Sequence, residues 1–140
     1  MSLQPGNVGP LERLTSFIHD SPTIYANAGV QIDSPAHKAV KFDANGNVVL
    51  ANNGQDAIGL ILSSTLDPIA QGAPVHILIK YIGLADAGGE IAAGDLVTIN
   101  STGQAVKAAS GNFIFGRAFT SVGAAGEAVQ VQINHMGELA

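Results

Sequence analysis

The chain has 140 residues and a net charge of −5, and charged residues make up only 12% of it, against ~25% in an average protein. This length suits a single domain with a proper hydrophobic core. Its Lys and Arg residues are scattered singly, so it has no basic footprint for nucleic acid. No apolar run approaches the ~20 residues of a membrane helix, and the absence of cysteine excludes disulfide and thiolate chemistry.

The combination of few charges and a mean hydropathy of +0.28 needs an explanation in a chain without a membrane span. The simplest one is that other protein subunits cover much of its surface. The amino terminus shows neither the charged region nor the apolar region of a signal peptide, so we expect a soluble protein that is not exported by that route.

Residues 1–27 differ in kind from the rest and are predicted to form an extended amino-terminal arm. Apolar residues in the arm follow the spacing of one face of a short helix that Pro10 could start. Two turns of helix are too few to be stable alone in water, so this helix either caps the domain or orders on a partner. For the second alternative, the predicted contact residues are Leu3, Leu11, Leu14, Phe17 and Ile18.

The remaining residues, 28–140, contain an internal repeat. Val40–Ser64 aligns without a gap on Val97–Ser121, and Gly72–Gly83 aligns on Gly126–Gly137. The matching residues are mostly Gly and Val, which fix turns and buried strand positions rather than chemistry. The sequence therefore predicts two related units, at 40–83 and 97–137, joined by a small-residue linker at 84–96.

Each copy is predicted to contain four short strands. In the first copy, Val40–Phe42 and Val48–Leu50 flank an Asn45-Gly46 hairpin signal, and Pro74–Ile82 forms the last strand. A short strand is also predicted at Gly29–Asp33, ahead of the first copy. Eight short strands at regular spacing indicate an all-β fold, either a small barrel or a sandwich.

The last strands alternate most clearly and predict which side chains face the core: Val75, Ile77 and Ile79 in the first copy, and Val129, Val131 and Ile133 in the second. The opposite face differs between the copies. It carries Leu60 and Leu78 in the first copy, where the second has Arg117 and Gln132. An apolar outer face is usually covered by another element or subunit, so we expect Leu60 and Leu78 to form a subunit interface.

No arrangement of residues in the sequence indicates catalysis, a cofactor or a metal. The four His residues occupy unrelated contexts, without the spacing of a zinc site, and the Asp residues lie mostly at turns. The glycines at 88, 89 and 94 lack the Lys and the following helix of a phosphate-binding loop. With two Tyr, five Phe and no Trp, an aromatic platform for bases or sugars is not expected.

Five segments of the chain resemble a known family. Val40–Leu50, followed by Ala57–Leu62 and Val75–Gly83, is similar to the core of tailed-phage head decoration (capsid cement) proteins, as is Gly89–Val97 followed by Phe115–Ala118. The resemblance covers about 36–136. It implies a small β-barrel or β-tulip-like protein that binds the outer surface of a filled phage head. It also implies a homotrimer that stiffens the shell, often through an extended amino-terminal arm.

The predicted function is therefore that of a non-enzymatic capsid decoration protein, made in the host cytoplasm and located on the virion. Its predicted partners are the major capsid protein and further copies of itself, with no cofactor, nucleic acid or membrane. An alternative is a head-fibre or tail-associated module that adheres to host surface glycans, which the small number of aromatic residues disfavours. A small barrel-type hydrolase is a third alternative. It is the least favoured one, because the sequence shows no paired nucleophile and base.

Overall fold

The fold consists of short antiparallel strands arranged in two successive sets. The structure is a computed structural model that describes residues 21–62 and 66–140. In this part of the chain the strands are β1 (Thr23–Asn27), β2 (Ala39–Phe42), β3 (Val48–Leu50), β4 (Gly59–Ile61), β5 (Pro74–Leu78), β6 (Tyr81–Asp86), β7 (Leu96–Ile99), β8 (Ala105–Lys107), β9 (Phe113–Ala118) and β10 (Ala128–Glu138).

The two sets form two five-stranded sheets with the same strand order. The first sheet runs β1-β5-β4-β2-β3 and the second runs β6-β10-β9-β7-β8. The all-β class and the tandem repeat are thus confirmed. The described strands do not close into a barrel, because β1 and β3 remain edges of the first sheet and β6 and β8 remain edges of the second.

Each unit has five strands rather than the predicted four, because each begins with a strand that the sequence comparison missed. β1 lies within the segment assigned to the arm, where it pairs with β5 from Thr23↔Leu78 to Asn27↔Pro74. β6 combines the end of the predicted strand Pro74–Ile82 with the start of the predicted linker, and it pairs with β10. The body of the protein therefore begins near Ser21, and the second unit begins near Tyr81.

The predicted hairpins between β2 and β3 and between β7 and β8 are confirmed, and both use the same turn chemistry. The side-chain oxygen of Asp43 accepts hydrogen bonds from the backbone N–H groups of Asn45 (2.9 Å) and Asn47 (3.0 Å). Asn100 does the same for Thr102 (3.0 Å) and Gln104 (2.9 Å). Each turn is completed by a glycine with positive φ, Gly46 at 80° or Gly103 at 78°.

The segments that follow β1 and β6 are also equivalent, and neither forms a regular strand. Ala28 bridges Val48 and Ile32 bridges Ile69 in the first unit, while Ala87 bridges Ala105 and Ile91 bridges Val122 in the second. The strand predicted at Gly29–Asp33 is therefore reduced to single bridges. Most of the predicted linker belongs to the second unit, because its backbone hydrogen bonds reproduce those of the first.

The two units pack against each other, and the outer face of the first sheet covers the interior of the second. The predicted inward residues are confirmed, with Ile79 only half-buried and the others buried. The first unit has its own core of Ala28, Ile32, Val40, Val48, Ile61, Ile69, Val75 and Ile77. The second core combines the inner face of the second sheet with Ala39, Leu60 and Leu78 from the first. Within the described ranges no helix is long and apolar enough to cross a membrane.

Candidate functional site

The predicted arm contacts Leu3, Leu11, Leu14, Phe17 and Ile18 lie outside the described residues. The described residues begin at Ser21, just before β1, which is an edge strand of the first sheet.

Leu60 and Leu78, the predicted subunit-interface residues, lie inside the chain. They are paired across β4 and β5, and they are 0% and 9% exposed. A Cβ at Gly83 on β6 would meet the Cδ2 atom of Leu78, so the missing side chain makes room for this leucine. The expected cover is therefore present, but it is the second unit of the same chain. This corrects the prediction that a neighbouring chain covers these two residues.

Polar contacts fix one side of the joint between the units. The Lys38 ammonium lies 3.4 Å from the Asp86 carboxylate and donates to the carbonyl of Ser34 at 2.8 Å. Gln104 donates to the same carboxylate at 3.0 Å. The Asp86 backbone N–H donates to the carbonyl of His37, also at 3.0 Å. Since both charged side chains are largely buried, this cluster ties the turn before β2 to the end of β6.

The other side of the joint contains a small cleft beside His135. The His135 Nε2 atom is 2.8 Å from the carbonyl oxygen of Ala57, and its ring meets Phe115 edge-on at 5.3 Å between centroids. The cleft holds about 110 Å³ and is lined by Gly54, Gln55, Phe113, Ile114, His135 and Gly137. Small-molecule sites usually exceed ~300 Å³. Because the imidazole is already engaged with backbone, the cleft is better explained as a packing defect at the joint than as a site for chemistry.

The titratable side chains are dispersed over the described surface. Among those residues, no three of the His, Cys, Asp and Glu side chains are grouped closely enough to hold a metal ion. The described histidines lie on different elements: His37 in the turn before β2, His76 on β5 and His135 on β10.

The surface carries more aromatic residues than the sequence led us to expect. Tyr25, Phe42, Tyr81 and Phe119 are all substantially exposed. The Tyr25 ring, 70% exposed, stacks on the His76 ring with 4.2 Å between centroids and 5° between planes. The composition could not show this, because it counts aromatic residues without saying which of them are buried. Alternation along β1 and β5 could have placed both residues on the outer face.

The geometry defines a class of protein, a tandem all-β repeat. The residues that its two copies share lie in strands, in turns and at close-packed glycines. A family model described as "phage cement protein" matches residues 44–133. The chain belongs to this phage cement protein family. The match extends from the first hairpin to the middle of β10 and so includes most of both units.

A solved structure has the same fold. The chain is similar to the head fiber gp8.5 N base of bacteriophage phi29, with a TM-score of 0.60 and 18% sequence identity over 84% of this chain and 97% of that one. No curated protein matches the chain. The family places this protein among the structural components of the phage virion, on the capsid, with the function of capsid decoration. It is a family of structural proteins.

Proposed function

We propose that this protein is a homotrimeric, non-enzymatic capsid decoration protein that binds the major capsid protein through its amino-terminal arm. The observation that carries this proposal is the match of residues 44–133 to the phage cement protein family. The predicted contacts with the shell are the apolar residues of the arm: Leu3, Leu11, Leu14, Phe17 and Ile18.

The proposed mechanism is stabilisation by mass action. A protein that binds the assembled shell better than its loosened form stabilises the shell by the binding free energy, repeated over many sites. The described body supports this mechanism, because its units are fixed to each other by a shared core and by the Lys38–Asp86 pair. Ordering an arm costs roughly 1–2 kcal/mol per backbone residue, so its contact with the shell must be extensive.

The test is a co-sedimentation titration of phage heads with full-length protein and with a chain that begins at Ser21. This boundary keeps β1, which a chain beginning at Ala28 would lose. We expect the shortened chain to remain folded and oligomeric while most of its affinity for heads is lost. Undiminished binding by the shortened chain would assign the attachment to the β body and leave the arm as a cap.

Adhesion to host surface glycans is the second candidate function, and the stacked pair of Tyr25 and His76 favours it. Tyr25 is 70% exposed, and a tyrosine offers a ligand both an apolar ring and a hydroxyl that can form hydrogen bonds. A glycan array probed with the full-length protein and with Tyr25→Ala tests this function. Binding that disappears in the variant would support adhesion, and an array without signal would reject it.

A further inference from the structure

The outer face of the second sheet is a partly apolar surface that is exposed among the described residues, with Arg117 on β9 beside Gln132 on β10. It comprises Ile82 and Leu84 on β6, Gln130 and Gln132 on β10, and Phe119 just after β9. Ile82, Leu84 and Phe119 are 46%, 42% and 45% exposed. We call these five residues the β6–β10 face.

Strand register brings these side chains together. Leu84 pairs with Gln130, and Ile82 pairs with Gln132. The Phe119 N–H donates to the carbonyl of Gln130 at 2.7 Å, which continues the register of β9 beside β10. Directly opposed residues on one face of a sheet lie ~5 Å apart, so the leucine, the amide and the phenyl ring form one row. Single exposed apolar residues are ordinary, but contiguous ones mark an interaction surface.

The same face of the first unit already serves as a contact surface. There, Leu60 and Leu78 occupy the positions of Arg117 and Gln132 and are buried against the second unit. The outer face of the sheet is therefore packed against the other unit in the first copy and exposed in the second. Arg117 pairs with Gln132 on this face, and it donates to the carbonyl of Gly94 at 2.9 Å, so its guanidinium lies against that loop.

We propose that the β6–β10 face is where copies of this chain meet, side by side around a symmetry axis. The chain has a net charge of −5, so two copies repel each other, and the repulsion is weakest where a surface carries no acidic side chain. Gln130 and Gln132 can both donate and accept hydrogen bonds, so the amides of neighbouring copies can pair with one another where they meet around the axis. This inference rests on the proposed self-association and assigns a surface to it.

The experiment compares the full-length protein with Leu84→Lys and Phe119→Lys by light-scattering mass measurement over a dilution series. Phe42→Lys is the matched control, because Phe42 is also a half-exposed phenylalanine (49%) but lies on the first sheet. We expect an oligomeric wild-type protein, at a multiple of 14.2 kDa. The two variants on the β6–β10 face should need at least a ten-fold higher concentration to associate, and the control should behave like the wild type.

Thermal melting verifies that each variant is folded, and Leu84→Gln replaces Leu84→Lys if the charged variant does not fold. An oligomer whose dissociation is unchanged by the variants of the β6–β10 face would overturn this inference and leave the proposed self-association in place. A wild-type protein that stays monomeric at every concentration would overturn both. Variants that keep the oligomer but lose binding to phage heads would reassign the face to the shell and also overturn the inference.

Discussion

At the scale of single residues, the two copies show how one backbone position takes different side chains in different surroundings. Leu78 and Gln132 are equivalent, and each is the residue whose carbonyl oxygen a Cβ at the repeated glycine, Gly59 or Gly116, would meet. Leu78 is buried at the joint between the units, whereas Gln132 faces solvent. The hydrophobicity of an outward position therefore reflects what covers it, and a repeat allows the comparison within one chain.

Replacing Leu78 by Ala should lower the free energy of unfolding by about 2–5 kcal/mol, because it leaves a cavity between β5 and Gly83. The matched control, Gln132→Ala, should change it by less than about 0.5 kcal/mol, since exposed sites tolerate substitution. Chemical denaturation of the three proteins measures both values. Similar losses from the two variants would contradict the burial of Leu78 at the joint.

A second pair of equivalent positions tests backbone strain. Gly94 has φ of 94° and an added Cβ would meet nothing within 4 Å, so Gly94→Ala changes only backbone preference. It should destabilise the protein by about 1–2 kcal/mol, the difference between left-handed Ala and Gly. His37 occupies the equivalent turn with φ of 63°, so His37→Gly should raise the melting temperature slightly. A lower melting temperature for His37→Gly would show that the imidazole makes a compensating contact.

At the scale of elements, the repeated glycines and alternating valines predicted both hairpins and the inward faces. The first strand of each unit was missed because its two versions, Thr23–Asn27 and Tyr81–Asp86, share little sequence. Each of these strands is defined by pairing with a later strand, which local patterns do not reveal. Alternation likewise assigned Leu60 and Leu78 to an outer face, but it could not show that the same chain returns to cover them.

The glycines on β4 and β9 should be the least replaceable in the fold. A Cβ at Gly59 would meet the carbonyl oxygen of Leu78, and one at Gly116 would meet that of Gln132. Backbone cannot move aside cheaply, so Gly59→Ala and Gly116→Ala should each destabilise the protein by about 1–3 kcal/mol or more. Gly123→Ala is the control, because its Cβ would meet nothing within 4 Å and its φ is not positive. Denaturation midpoints of the three variants measure these losses of stability. A loss of stability in only one of the two strand variants would contradict the equivalence of Gly59 and Gly116.

At the scale of the whole molecule, the packing of the first sheet onto the interior of the second unit makes the stabilities of the two units unequal. The first unit completes a core from its own residues, whereas the core of the second includes Leu60 and Leu78 of the first. The units should consequently unfold together in the intact chain, since loss of the first uncovers the apolar interior of the second. The burial of this interior supplies the main driving force for folding the second unit.

The two halves, prepared separately as residues 21–80 and 81–140, should therefore behave differently. The first should retain β structure, with Leu60 and Leu78 exposed and a tendency to associate through them, whereas the second should not fold alone. Mixing the halves should restore the second, because the outer face of the first sheet then covers its core again. Circular dichroism and amide chemical-shift dispersion of each half and of the mixture provide the measurement. An isolated second half with well-dispersed amide signals would mean that its own residues suffice for its core and that the joint only connects two independent domains.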